Sequence, residues 1–367
     1  MAQRAAPQRI LALTYPLTPV GEGACGGAEQ VAWHLLRRLG QRPQLAATWI
    51  GADGSASLSG VARIAWSGLG VPAPSSRSCW TPTALAALLR RCRQAVRAFL
   101  ADHAVDLIHD QGAWFFPAPP SGPPLLFTLH LARRLYPPAL FASGPLRPHF
   151  QLVSRFQQRE YPDLPGLPVV ANGIDLQRFP ARLTPAPVGA PLLFLGRICP
   201  EKAPHLAIAL ARRARRRLWI VGAVSPFPDH RRYFAERIAP ALHSGIRWFP
   251  PPSPAGKRRL LRAAAAVVIP SQIEETSSLV AMEAAASGVP VLALRRGALP
   301  EIIAQGETGW LADDPEALGA AVPRLAELSP AACRARAERY FDADRMAADY
   351  LALYRRLASP APAASAA

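Results

Sequence analysis

The sequence predicts an α/β protein of two Rossmann-like, doubly wound domains facing each other across a cleft. Three observations lead there. Short apolar runs alternate with amphipathic helical patterns, as expected for strands joined by helices into a parallel sheet. The alternation starts twice, on either side of ARLTPAPVGA at 181–190, which reads as a linker. The chain has 367 residues, too many for one ordinary core and suited to two of roughly 150 to 190 residues each.

In the first half the runs are RILALTYP, the helical GGAEQVAWHLLRRLG, then QLAATWIGA, then the long amphipathic TPTALAALLRRCRQAVRAFLADHA. VDLIHDQG and LLFTLH follow, separated by FPAPPSGPP, which holds too much proline for a helix. LPVVANGIDLQRF closes the half as a strand running into an Asn-Gly turn. The second half reads PLLFLGR, PHLAIALARRARRR, LWIVGA, a helix near HRRYFAERIAPAL, IRWF, KRRLLRAAAA, VVIPS, SLVAMEAAASG and PVLAL, with further short elements. The expected division is a domain over 1–180, a second over 181–341, a helix over 342–357 and a disordered tail over 358–367.

Composition narrows the class. Half of the residues are hydrophobic, which excludes a disordered chain. No run reaches the ~18 apolar residues of a membrane helix. The start, MAQRAAPQRILALTYPLTPVG, has the basic and apolar parts of a signal peptide, but two prolines break it and it reads as a first core strand. Cys25, Cys79, Cys92, Cys199 and Cys333 form neither a C-x-x-C pair nor a metal pattern, as expected of reduced thiols in the cytoplasm. The formal charge of +17 is spread over both halves, with 17 Arg against 9 acids in 1–180 and 25 Lys+Arg against 16 acids in 181–367. No half owns the charge, and no basic stripe interleaved with aromatics suggests a nucleic-acid module.

Ligands of open α/β sheets bind beyond the carboxyl ends of strands, so the loops after strands are where chemistry belongs. VVIPSQIEETSSLVAMEAAASGVPVLAL reads strand, loop, helix, stop, strand. Ser277 or Ser278 can cap the helix, Gly288 stands at its left-handed stop, and the helix start offers free amides to an anion. Glu275 precedes that helix and Glu283 lies about two turns inside it. The pair can face a sugar and a ribose, or Glu275 can complement the helix dipole while Glu283 is solvated. In PLLFLGRICPEKAPHLAIALARRA a strand ends at Gly196-Arg197, and Arg197 and Lys202 flank a helix start near Pro204, either as a phosphate clamp or as loop cations. His130 ends LLFTLH, as a structural group or a reactive one. His109, Asp110 and Trp114 to Phe116 follow the preceding strand, lining a pocket or capping the sheet. GEGACG at 21–26 with Asp53 fits a dinucleotide fingerprint, but extra residues separate the strand from the first glycine. The better reading is a loop in which Gly26-Gly27 start a helix and let a ligand approach the backbone.

In this order, GGAE at 26–29, TLH at 128–130, VANGID at 170–175, GRICPEK at 196–202, EETSSLVAMEAAASGVPVLA and GALPEII resemble the retaining glycosyltransferases of family 4, which have the GT-B fold. The resemblance covers nearly the whole chain and reproduces that family's two glutamates, with seven residues between them, at Glu275 and Glu283. It implies a nucleotide-diphosphate sugar as donor, with UDP expected over GDP, and transfer of a hexose to an acceptor held on the N-terminal side. Arg197 and Lys202 would hold the diphosphate with the amides of Ser277, Ser278 and Leu279. Glu275 would contact the transferred sugar and Glu283 the ribose. Gly27 would approach the phosphates, and His130 would sit by the sugar. Ala203 and Ser278 stand where many members have glycine, and FPPPSPAGKRR at 249–259 is richer in proline than the usual turn beside the base.

The one Asp-x-Asp triplet, Asp342-Ala343-Asp344, opens the helical stretch at 342–357, and cations and helix amides are expected to stabilise the leaving diphosphate without a metal or other cofactor. The expected partners are the donor and a sugar, lipid-linked or small-molecule acceptor, without nucleic acid. A lipid-linked acceptor would bring peripheral contact with an anionic membrane at its inner face. A GT-B epimerase or phosphorylase would share the architecture, and a nicotinamide dehydrogenase would require the GEGACG reading.

Overall fold

The computed structural model describes residues 6–24, 26–71, 81–112, 115, 122–142, 144 and 147–358. Cys25, Cys79, Trp114, Phe116, most of FPAPPSGPP and the tail beyond Ala358 lie outside the described residues. The first half contains strands β1 (Gln8–Leu13), β2 (Leu45–Gly51), β3 (Val61–Ala65), β4 (Leu107–Asp110), β5 (Leu125–Leu129) and β6 (His149–Leu152), with helices α1 (Gly27–Leu39) and α2 (Pro82–Asp102). The second contains β7 (Leu192–Leu195), α3 (Pro204–Arg213), β8 (Leu218–Val221), α4 (Pro228–Tyr233), β9 (Ile246–Phe249), α5 (Pro254–Ala263) and β10 (Ala266–Ile269). It continues through α6 (Leu279–Ala286), β11 (Val291–Leu294), α7 (Leu299–Ile302), β12 (Gly309–Ala312), α8 (Pro315–Ala320), α9 (Pro330–Tyr340) and α10 (Ala343–Ala358).

The strands form two parallel sheets of six, ordered β3-β2-β1-β4-β5-β6 and β12-β11-β10-β7-β8-β9. In each, the order reverses beside the half's first strand, between β1 and β4 and between β7 and β10. Strands buried on both faces need no alternation of polar and apolar residues, and AVVI of β10 and VLAL of β11 are buried throughout. In the first sheet Leu88, Cys92, Val96 and Phe99 of α2 cover one face, and Ala32, Trp33 and Leu36 of α1 cover the other. In the second, Ala281, Met282, Ala284 and Ala285 of α6 pack on one face, while Ala207, Ile208, Leu210 and Ala211 of α3 pack on the other.

By its internal contacts the chain divides into one unit of 1–153, 160–171 and 343–367 and another of 154–159 and 172–342. The chain thus passes into the second unit after Ala171, ahead of the expected 180, because Ile174, Leu176 and Phe179 are buried in the second core. α10 belongs with the first unit and is not a free-standing extension. It packs beside α1 and against β4, where Tyr350 donates to Gln151 at 2.8 Å and the Tyr354 hydroxyl lies 2.6 Å from His109 Nδ1. Residues 181–190 are not a linker between the units. They run along the second one, where the Arg182 amide donates to the Ser287 carbonyl at 2.9 Å and its guanidinium to the carbonyls of Arg262 and Ala264.

Local readings differ at the strands. LPVV makes a single bridge, Val169 to Leu152, because the two prolines around it leave few amides to pair. β3, β6 and β12 were not anticipated. VARIA of β3 is an edge strand that exposes Ala62 and Arg63, so its apolar signal is faint.

Candidate active site

β7 and β10 flank the point where the second sheet reverses its order, the usual ligand position of such sheets. The loop after β7 carries Arg197 and Lys202, and the loop after β10 carries Glu275 and Ser277 before α6 begins at Leu279. Two loops far apart in sequence therefore leave adjacent strands on the same sheet edge. They meet at Lys202, whose Nζ donates to both carboxylate oxygens of Glu275, at 2.5 and 2.7 Å. Ser271 donates to the same carboxylate. Glu275 is 7% exposed, so its charge requires these partners. An ammonium group has three donors, so Lys202 keeps one N–H beyond the Glu275 pair.

The backbone beneath this pair is fixed from the GALPEII segment. Gly297 has φ +57°, and a Cβ there would lie 2.2 Å from the Glu275 carbonyl oxygen. The Ala298 amide donates to that carbonyl at 2.7 Å, and the Gly297 amide donates to the Glu274 carboxylate. Ala203, just after Lys202, is left-handed with φ 51° and ψ 49°, a conformation glycine adopts freely and alanine adopts under strain. This accounts physically for the glycine common at that position in the family the sequence resembles.

Arg197 is 47% exposed along its side chain and lies 3.6 Å from Glu201 in a surface pair. Ser278 caps α6, its Oγ accepting from the Ala281 amide at 3.4 Å. The Ser277 hydroxyl is buried and has no hydrogen-bond partner among the described residues. Leu279 is the first residue of α6, where helix amides lack internal partners. The structure thus brings Lys202, Glu275, Ser277, Ser278 and Leu279 to one sheet edge, with Arg197 on the neighbouring loop.

Glu283 is not solvated. It is 2% exposed, and Lys257 Nζ donates to its Oε1 at 2.5 Å. Lys257 lies in the first turns of α5 and was missed by the sequence reading. It comes from the proline-rich segment at 249–259, 26 residues from Glu283, and α5 brings it to α6.

In the first unit, His130 follows β5 and is half-buried, with Nε2 3.1 Å from the Gln111 Oε1. Burial lowers its pKa to about 4, so at neutral pH it is an uncharged hydrogen-bonding group. His109 and Asp110 brace the sheet and do not line a pocket. His109 is wholly buried, with Nε2 2.8 Å from the Thr128 hydroxyl, and burial, then the charge of His130, lowers its pKa to about 3. Asp110 accepts the amides of Gly112, at 2.8 Å, and Phe115, fixing the turn that carries Gln111. Gly27 opens α1, and a Cβ there would meet nothing within 4 Å. Asp53 accepts the Ser67 hydroxyl, and Gly21 lies well beyond the end of β1 at Leu13, so GEGACG is not the tight strand-to-helix turn of a dinucleotide site. Among the described residues no group of three or more His, Cys, Asp or Glu side chains is placed to hold a metal ion. Nor, among the described residues, is any helix long and apolar enough to cross a membrane.

Residues 190–327, the core of the second unit, match the family model described as Glycosyl transferases group 1. The D-inositol 3-phosphate glycosyltransferase of Corynebacterium glutamicum (strain R) is 38% identical over 130 residues, 33% of this chain and 30% of that protein's length. The match thus spans about a third of the curated relative. Among solved structures, sucrose-phosphate synthase from Thermosynechococcus elongatus superposes with a TM-score of 0.73 at 20% identity, covering 95% of this chain and 99% of that one. Anabaena HepE, solved in complex with UDP and glucose, superposes with a TM-score of 0.68 at 16% identity, covering 95% and 100%.

Proposed function

Because this chain belongs to glycosyltransferase family 4 and has the GT-B fold, we propose that it moves a hexose from a nucleotide-diphosphate sugar, UDP before GDP, to an acceptor. The observation that carries the reading is the Lys202–Glu275 pair beside the start of α6, at the reversal point of the second sheet. The complex of the neighbour HepE with UDP and glucose supports the choice of donor.

Charge grows on the diphosphate as the glycosidic bond breaks, and fixed donors at the leaving oxygens stabilise that charge. Arg197, the third N–H of Lys202 and the amides of Ser277, Ser278 and Leu279 are suited to this task. Glu275 then contacts the sugar and Glu283 the ribose, while Gly27 approaches the phosphates by its backbone and His130, neutral at pH 7, lies by the sugar. We read the reaction as retaining, with attack on the face the diphosphate leaves and transfer of the acceptor proton to that diphosphate. On this reading no metal is required. The acceptor is a sugar, a lipid-linked species or a small molecule, and the enzyme works in the cytoplasm, peripherally at an anionic membrane where the acceptor is lipid-linked.

A thermal-shift screen of UDP- and GDP-sugars tests the donor, since a ligand that binds only the native state raises apparent stability. Nucleotide release should then depend on an added acceptor. Release without any acceptor would favour an epimerase over a transferase, and stabilisation by neither nucleotide family would remove the donor reading.

A further inference from the structure

We propose that Lys257 is a positioning residue for nucleotide recognition, holding one carboxylate oxygen of Glu283 and leaving the other to accept the ribose hydroxyls. The inference rests on the nucleotide-sugar reading and adds to it a residue outside the resemblance. Glu283 stands in the middle of LVAMEAAA, a helix whose other residues are apolar, and it is 2% exposed. A carboxylate so buried stays charged only with a partner. Lys257 supplies it at 2.5 Å, with its own side chain 15% exposed and its Nζ 6.0 Å from the centre of the Phe179 ring. Ser253 caps α5 by accepting the Gly256 amide at 3.2 Å, and this sets the helix phase that delivers Lys257.

The residue type carries the argument further. The chain holds 42 Lys+Arg, of which only Lys202 and Lys257 are lysines, and each pairs with one of the two glutamates that have seven residues between them. An arginine fork would tend to engage both oxygens of Glu283. Lys257 engages Oε1, and among the described residues Oε2 accepts no hydrogen bond. An ionised carboxylate with a free oxygen is an acceptor-only group, suited to a ribose diol. The same lysine fastens α5, and with it the proline-rich segment before it, to the ribose end of the site.

The test compares UDP with 2′,3′-dideoxy-UDP, and GDP with its dideoxy form, by isothermal titration on wild type, Lys257→Met and Lys257→Arg, with melting temperatures in parallel. Wild type should prefer the ribose form by roughly 10-fold or more, the scale of a hydrogen bond to a charged group. Lys257→Met should lose that preference and bind pyrophosphate unchanged. Lys257→Arg keeps the ion pair and should melt near wild type, yet it should also lose the preference, so the test survives if the Met variant does not fold. Retention of the ribose preference by either variant would show that the ion pair is only structural. Equal losses for pyrophosphate and nucleotide would make Lys257 a phosphate cation and overturn the proposal. A wild type that binds neither UDP nor GDP would instead refute the donor reading on which it stands.

Discussion

At the scale of single residues, the two proposed phosphate cations differ in what else they support. Arg197 is half-exposed and pairs with Glu201 at 3.6 Å, a contact worth little to stability. Lys202 is the charge partner of a carboxylate that is 7% exposed. Arg197→Ala should therefore lower kcat/KM by about 10- to 150-fold, the range of a charge-assisted hydrogen bond, and leave the melting temperature unchanged. Lys202→Ala should lower both, because it strands a buried charge. Added EDTA should change neither enzyme, and an activity abolished by EDTA and restored by manganese would replace the cation clamp with a metal. Histidines set a second expectation. Burial holds His109 to a pKa of about 3 and His130 to about 4, below the ~6.5 of a free imidazole. Between pH 6.5 and 4 the unfolded chain binds protons that the native chain refuses, so stability falls as pH falls, by up to ~1.4 kcal/mol per pH unit for each histidine. Burial lowers His149 and His205 as well, with the same sign. Melting temperature should drop steadily from pH 7 to pH 5 and less steeply in His109→Gln, whereas a flat profile in the wild type would contradict the burial argument.

Among the elements, α6 was the most legible, because its cap, apolar run and stop stand in one uninterrupted stretch. Gly288 does have φ +69°, and a Cβ on it would lie 1.9 Å from the Arg182 carbonyl oxygen. Gly288→Ala should cost about 2 kcal/mol or more in a urea melt. Gly27 makes the opposite case, since it opens α1 with free space beside it. Gly27→Ala should leave stability unchanged or raise it by up to ~1 kcal/mol, the helix preference of alanine, while lowering kcat/KM if a phosphate approaches that backbone. Turnover at the wild-type level would remove Gly27 from the site. What the sequence hid at this scale has two causes. β3 and β6 are short and mix polar with apolar residues, as with Arg63 in β3 and the buried Gln151 in β6, so no apolar run announces them. The Lys257–Glu283 pair joins separate helices, and no periodicity within either one points to the other. A solvated Glu283 stayed open as an alternative because a lone acid in a helix usually is solvated, and its partner Lys257 stands just after a proline-rich run, in another helix.

For the whole molecule, the alternation of strands and helices was enough to give two doubly wound units, but not which unit owns each end of the chain. The charge of +17 also acquires a partly structural meaning. Arg334 donates to the carbonyls of Leu176, Phe179 and Ala286, Arg336 to those of Glu301 and Ile302, and Arg345 to that of Ala171. A planar guanidinium with five donors can tie several backbone segments at once, which an ammonium does less well. Part of the arginine excess therefore fastens the fold and is not a surface for an anionic partner. The second consequence concerns α10, which closes the first unit from the far end of the chain. Arg38 and Arg42 pair with Asp344 at 3.2 and 3.0 Å, and Met346, Ala347, Tyr350 and Tyr354 are wholly buried. Beneath them Thr128 bonds both His109 and Gln151, and the tyrosine hydroxyls complete the network, with Tyr354 the partner of His109 Nδ1. A chain ended at Asp342 would open this apolar face to water and take away the partner of His109 Nδ1, at about 1 to 3 kcal/mol for that group besides the lost burial. The second unit keeps its sheet and both of its cores, since 172–342 remain intact. Hydrogen exchange on the truncated chain should show β1, β4 and β5 stripped of protection while β7, β10 and β11 retain theirs. Tyr354→Phe, which deletes only the hydroxyl facing His109, should weaken the first unit by about 1 to 3 kcal/mol without unfolding it. Undiminished protection of β4 and β5 in the truncated chain would mean that the first sheet stands without its last helix.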